Sequence, residues 1–230
     1  MLNLTVRSSE RRISLAAGIL YLLTFVSIPT LALYGPVKGA HYVTGSGPDT
    51  GAMLGGLLEI VVALAGIGTA VVLFQVLKKQ NEWLALGLIA ARVLEAATIF
   101  VGVAFLLSIV TLRRDGSGAG ALMTSHALVI LYNRIFLLGQ SFMPAVDDLL
   151  LGFLLYQSQL VPRRLSRIGL VGAPILVAGY LAALFGLVAQ HGGLAGLSAF
   201  PVAIFEFSLG VWLVVKGFDS DAVAALEAAT

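Results

Sequence analysis

The sequence predicts an all-α fold: a polytopic transmembrane helical bundle of six spans with both termini cytoplasmic. Of its 230 residues, 59% are hydrophobic and 11% charged, against about 25% charged in an ordinary soluble domain. Apolar stretches of about twenty residues, the length that crosses a bilayer, recur along the whole chain. The placement of Lys and Arg between those stretches sets their number and orientation.

The first span, Ile13 to Tyr34, follows Arg7, Arg11 and Arg12. It is long for a signal-peptide core and lacks a small-residue cleavage site, so it reads as a retained helix. The segment Gly35 to Gly51 is the longest loop and reads as a plain surface loop or, alternatively, as a cover over a cavity mouth. Further spans fall at Ala52 to Leu77, Trp83 to Leu112, Arg134 to Gln157, Ile168 to Gln190 and Leu194 to Val215. The Gly-rich run Arg113 to Ala121 follows no strand and lacks the GK[ST] ending of a phosphate loop. Ala119 to Asn133 is apolar but short. It suits an interfacial or re-entrant helix, or a seventh span if the chain breaks near Gly139 or Pro144.

Loop charge favours six spans over that alternative of seven. With the N-terminus inside, six spans put Arg7, Arg11, Arg12, Lys78, Lys79, Arg163, Arg164, Arg167 and Lys216 on the cytoplasmic side and only Lys38, Arg113 and Arg114 outside. A seventh span before Arg134 would move the Pro162 to Arg167 loop and the C-terminus outward, against the positive-inside bias. Residues 1–218 then form one bundle, and 219–230 a short cytoplasmic tail. Tyr34, Trp83, Tyr156 and Trp212 lie near span ends, where amphipathic rings favour the headgroup layer.

Composition also limits the chemistry. There are no cysteines and three scattered histidines, His41, His126 and His191, so thiolate chemistry is excluded and no zinc or haem ligand spacing is present. No cofactor is expected. The net charge of +2 reports orientation rather than a nucleic-acid partner; the partners to expect are membrane lipids, a hydrophobic small molecule and a second copy in a homodimer.

Seven ionisable residues remain in or at the edges of the spans: Glu59, Arg92, Glu95, Arg134, Asp147, Asp148 and Glu206. Each costs roughly 2.5–3.5 kcal/mol at a helix centre, so each should face the bundle interior and find a partner. Helical rise places Glu95, Asp147, Asp148 and Glu206 within about 5 Å of the midplane, with Arg92 and Glu59 about 8 Å to either side. Arg134, at a span end, can snorkel. Arg92 and Glu95 are spaced i, i+3 for direct pairing. Gln140 lies two turns before Asp147 and Ser141 two turns before Asp148, extending polar character along that span. Glu59 is surrounded on its own face by Gly55, Gly56, Ala63 and Gly66, which suits close helix packing or room for a ligand. Asp147 and Asp148, about 100° apart on a helix, cannot both face one partner; one should enter the shared layer while the other faces a neighbouring helix or Arg92.

Five carboxyl groups and one arginine in this layer imply that several carboxyls are neutral, able to act as general acids or as a proton relay. Three readings stay open. The first is a metal-independent acid/base enzyme acting on a lipid or isoprenoid, with Glu206 or Asp148 as acid, Glu59 as base or second acid, and Arg92 setting the charge of Glu95. The second is a proton-coupled carrier or lipid-binding sensor, and the third a scaffold held by a satisfied polar network.

The stretches AAGILYLLTFVSIP, LLEIVVALAGIGTAVVLFQVLKKQNEWLALGLIAARVLEAA, LLGFLLYQSQLVPRRLSRIGLVGA and PVAIFEFSLGVWLVVKGF together resemble the bacterial membrane proteins grouped as domain of unknown function family 4386. The resemblance covers nearly the whole chain and implies a small multi-pass protein of the bacterial inner membrane, with no assigned activity. Glu59, Arg92, Glu95, Glu206 and Lys216 lie in the matching segments. A second, architectural likeness is to the integral-membrane cyclases of meroterpenoid pathways, in size, in the lack of metal motifs, and in an acidic residue in the second span and another late in the chain. Glu59 and Glu206 occupy those places here; the cyclases have seven spans and share no motif with this chain.

Overall fold

The computed structural model describes residues 2–116, 118 and 120–228. It is all-helical over those residues. Helix α1 (Leu2–Thr24) is followed by a 3-10 turn, Phe25–Ser27, and a four-residue α2 (Thr30–Leu33). The first span is therefore interrupted rather than continuous to Tyr34. Ile28 keeps helical angles, φ −51° and ψ −45°, but Pro29 has no N–H to give to a preceding carbonyl and its ring crowds the turn before it. Around it the hydroxyls of Thr24, Ser27 and Thr30 bond back to the carbonyls of Tyr21, Thr24 and Ser27 at 2.7, 3.0 and 2.6 Å, taking up acceptors that the broken helix leaves free.

Helix α3 (Thr50–Arg114) is two antiparallel spans joined at Asn81, whose φ of −160° and ψ of 106° are extended. The Asn81 Oδ1 accepts the Leu84 N–H at 3.1 Å, so the residue that breaks one helix caps the next. The expected spans Ala52 to Leu77 and Trp83 to Leu112 are these two limbs.

Helices α4 (Gly120–Leu138) and α5 (Met143–Ser158) settle the count of spans. The chain does break at Gly139–Phe142, yet both helices run the same way along the second limb of α3. A Cβ on Gly102 would meet the Tyr132 ring, and one on Gly139 would overlap Thr98; further along, Asp147 reaches Arg92 and Gln157 bonds Gln80 at 3.1 Å. One number rises as the other falls, so α4 and α5 make one bent crossing. The segment Ala119 to Asn133 is neither a re-entrant helix nor a seventh span: from Gly120 it is the first part of the fourth crossing. That crossing begins well before Arg134, which is exposed.

Helices α6 (Arg163–Leu184) and α7 (Gly193–Val215) complete the six. They touch closely because α6 presents glycines: Gly169 lies under the Phe205 ring and Gly172 against Pro201, leaving the backbones free to approach. Helix α1 packs on α3 and α7, and Arg11 donates to the carbonyls of Leu213 and Val214, where the last turn of α7 lacks partners. Helix α8 (Ser220–Ala228) buries Val223 and Leu226 against the bundle and pairs Glu227 with Lys79 at 2.9 Å. The expected tail is thus largely a packed helix; residues 229 and 230 lie outside the described ones, as does the side chain of Arg7.

Two apolar cores stand at opposite ends of the bundle. One gathers Leu73, Leu77, Leu154, Leu209 and Leu213 near the termini; the other gathers Tyr34, Val37, Leu106, Ile109 and Tyr132. The loop before α3 belongs to the second core through Val37. It is tied down further by Asp49, which pairs with Arg113 at 3.0 Å and Arg114 at 2.8 Å and accepts from the Tyr42 hydroxyl.

Candidate functional site

Arg92, on the second limb of α3, is the centre of the buried charge. Its Nη1 pairs with Glu95 Oε2 at 2.9 Å, its Nη2 with Glu206 Oε1 on α7 at 2.7 Å, and its Nε lies 3.5 Å from Asp147 Oδ2 on α5. The Nη2 also donates to the Tyr21 hydroxyl on α1 at 3.3 Å. One guanidinium therefore ties four helical segments together, with every nitrogen committed. The fork geometry of arginine makes this possible where a lysine would serve one partner at a time.

Glu59 stands apart from that cluster, on the first limb of α3. It is 2% exposed. The Tyr34 hydroxyl donates to its Oε2 at 3.1 Å, and the Gln140 amide to its Oε1 at 3.4 Å. The Tyr34 ring fits because Gly55 and Gly56 offer no side chain in its path. Small residues beside Glu59 thus make room for the tyrosine that holds it. Tyr34 is no headgroup anchor: it is fully buried, whereas Trp83 is exposed as an interfacial ring should be. Sequence reasoning missed Tyr34 and Tyr21 as partners of the charged layer, because a tyrosine near a span end has an ordinary alternative explanation.

Gln140 also changes role. It sits in the turn between α4 and α5, so it does not share a helix face with Asp147. The turn aims it at Glu59 instead.

Between the two clusters lies a cavity of about 490 Å³. Glu59, Arg92, Glu95, Gln140 and Glu206 all line it, among apolar walls that include Phe25, Ile99, Phe136 and Val202. Both helix interruptions border it, through Phe25 and Ser27 on one side and Gln140 and Ser141 on the other. At its far rim, the His191 ring packs tilted against Phe136, with centroids 5.7 Å apart and planes 41° apart. Burial, and then the nearby Lys38, holds this imidazole below its usual range. Lys38 sits 5.1 Å over the Tyr132 ring, outside the cavity lining, and burial lowers its own pKa. The loop Gly35 to Gly51 contributes nothing to the lining, so it is a packed loop rather than a cover of this mouth.

Asp147 and Asp148 are behind that wall. Both are 0% exposed and neither lines the cavity. Asp147 meets Arg92 as an ion pair, and among the described residues no side-chain oxygen of either aspartate has a hydrogen-bond partner. The structure thus brings together six of the seven expected site residues around Arg92 and Glu59, and Asp148 beside them, but opens only five to the cavity. A second cavity, of about 830 Å³ near the termini, holds none of the buried carboxyls.

A cavity of this size and lining suits a small hydrophobic molecule, with a few polar groups to orient it. Residues 16–217 match the model of one protein family, described as "Domain of unknown function (DUF4386)". No curated protein and no solved structure matches the chain.

Proposed function

The chain belongs to this DUF4386 family of proteins, and we propose that it is an intramembrane acid/base enzyme whose cavity takes a lipid or isoprenoid substrate. The observation that carries this reading is the position of Glu59: a carboxyl group on an apolar cavity wall, ion-paired with no cation among the described residues. Arg92 is already matched by Glu95, Glu206 and Asp147, so the neutral form of Glu59 is the cheaper one in these surroundings. Tyr34 can donate to the carboxylate or accept from the acid, and so holds Glu59 through a full proton cycle.

In the reaction, the Glu59 O–H bond breaks as a C–H bond forms on a substrate double bond, leaving a cation in the substrate. Loss of a proton from a neighbouring carbon then restores a double bond and reprotonates Glu59, so isomerisation or cyclisation needs no other reactant. The carboxylates of Glu95 and Glu206 face the cation. Asp147, touching Arg92 rather than the cavity, serves as a positioning residue. Water is kept out by the apolar walls. The inner membrane of a bacterium is the location that fits such a substrate.

Incubation of purified protein in nanodiscs with extracted bacterial lipids in D2O tests the reading. One solvent deuterium should appear on carbon in the product, and Glu59→Gln should lower that rate by about 10²–10⁴-fold while the protein stays folded. Absence of turnover with any lipid or prenylated compound, or full activity in Glu59→Gln, would sink it. A proton-coupled carrier is the second reading, favoured by the two helix interruptions that border the cavity and offer hinges. It predicts pH-dependent solute flux in liposomes without turnover.

A further inference from the structure

We propose that the cavity selects lipophilic cations, molecules with a positive centre inside an apolar body, and rejects anionic amphiphiles of the same shape. This recognition goes beyond the catalytic reading, since it holds whether or not any substrate is turned over. A hydrophobic pocket of about 490 Å³ lined by Phe25, Phe136 and Val202 takes the apolar body. The sign of the charge follows from how the polar groups are engaged.

Among the described residues Arg92 is the sole Lys or Arg that lines the cavity, and an anionic ligand would need it as a receptor. Its Nη1 serves Glu95, its Nη2 serves Glu206 and Tyr21, and its Nε faces Asp147. A phosphate or carboxylate would have to break one of these buried pairs and leave a carboxylate stranded, which is costly. The carboxyl groups are differently placed. Glu206 lends Oε1 to Arg92, while none of the hydrogen bonds or ion pairs among the described residues engages its Oε2. Three carboxyl groups, Glu59, Glu95 and Glu206, line the space against one guanidinium. With Glu59 neutral and Glu95 and Glu206, the two partners of Arg92 in the lining, ionised, the lining carries a formal charge of −1, which one monovalent cation balances. Phe25 and Phe136 also line this space, and aromatic rings attract cations.

Tetraphenylphosphonium and tetraphenylborate have nearly the same shape and opposite charge, so equilibrium dialysis of each against protein-loaded and empty nanodiscs separates charge from greasiness. Saturable, protein-dependent binding of the phosphonium and none of the borate is expected. Glu206→Gln should weaken phosphonium binding by about tenfold, the order expected for loss of a close charge partner. Ala195→Trp, which fills the lining from its rim, should abolish it, and a melting scan on each variant establishes that it is folded. If a Glu206 variant fails to fold, the Ala195 variant and the comparison of the two ions still decide. Equal binding of both ions, preference for the borate, no binding of either, or unchanged phosphonium binding in folded Ala195→Trp would overturn the proposal. Failure of the D2O assay alone leaves this binding result intact, and loss of phosphonium binding with turnover retained would separate the two in the other direction.

Discussion

Arg92 shows what a single residue does in this bundle. Its guanidinium meets partners from α1, α3, α5 and α7, so removing it leaves several buried carboxyls without a counter-charge. Arg92→Met should therefore destabilise the protein by about 3–5 kcal/mol, measured as a shift in a reversible unfolding titration in detergent. Glu59→Gln should cost far less, because the amide oxygen of glutamine still accepts from Tyr34 or Gln140. The contrast separates a residue that holds helices together from one that exchanges a proton. Asp147, paired with Arg92, belongs with the first kind, and the proposed function places Glu59 with the second.

At the scale of elements, the interruptions matter as much as the helices. Gly139 lets the bend between α4 and α5 close against Thr98 of α3, where a Cβ would overlap the threonine side chain. Gly139→Ala should cost about 1–3 kcal/mol by overpacking, and Thr98→Ala in the same chain should recover much of it. A double-mutant cycle on unfolding free energies checks this, with additivity of the two changes as the contrary result. The loop before α3 makes a separate prediction through Asp49. The Tyr42 hydroxyl, followed by Arg114, holds this carboxyl below its usual range. A depressed folded value stabilises the loop above the ordinary carboxylate pKa, about 3.9, and the stabilisation fades as pH falls through the folded value. Protection from hydrogen exchange in residues 36–48, measured against the intrinsic rate at each pH, should fall on acidification below about pH 4 with α3 still protected. Asp49→Asn should show the faster exchange already at neutral pH.

For the whole molecule, six crossings return the chain to the end where it began. Arg11 of α1 bonds Leu213 and Val214 of α7, and Glu227 of α8 bonds Lys79, so both termini share one face of the bundle. Arg163, Arg164, Arg167 and Lys216 are at the same end, and the positive-inside rule leads us to expect that face to be cytoplasmic. Reporter fusions at both termini should score as cytoplasmic and a reporter placed in the 36–48 loop as periplasmic; termini on opposite sides would contradict six crossings. Much of this was legible in the sequence. Hydropathy and loop charge alone determined a membrane-spanning helical bundle, the division of 50–114 into two spans, and a buried layer containing Glu59, Arg92, Glu95, Asp147, Asp148 and Glu206, because uncompensated charge is too costly in lipid to occur by accident. Only the tertiary structure decided which of these groups face open space. Periodicity assigns a residue to a helix face, but Gln140 turns to Glu59 because the helix breaks beside it, and Tyr34 reaches Glu59 because glycines opposite it leave room. Asp147 and Asp148 are sealed behind Arg92 for a related reason: a cavity is the space that several packed helices fail to fill, and no one segment encodes it.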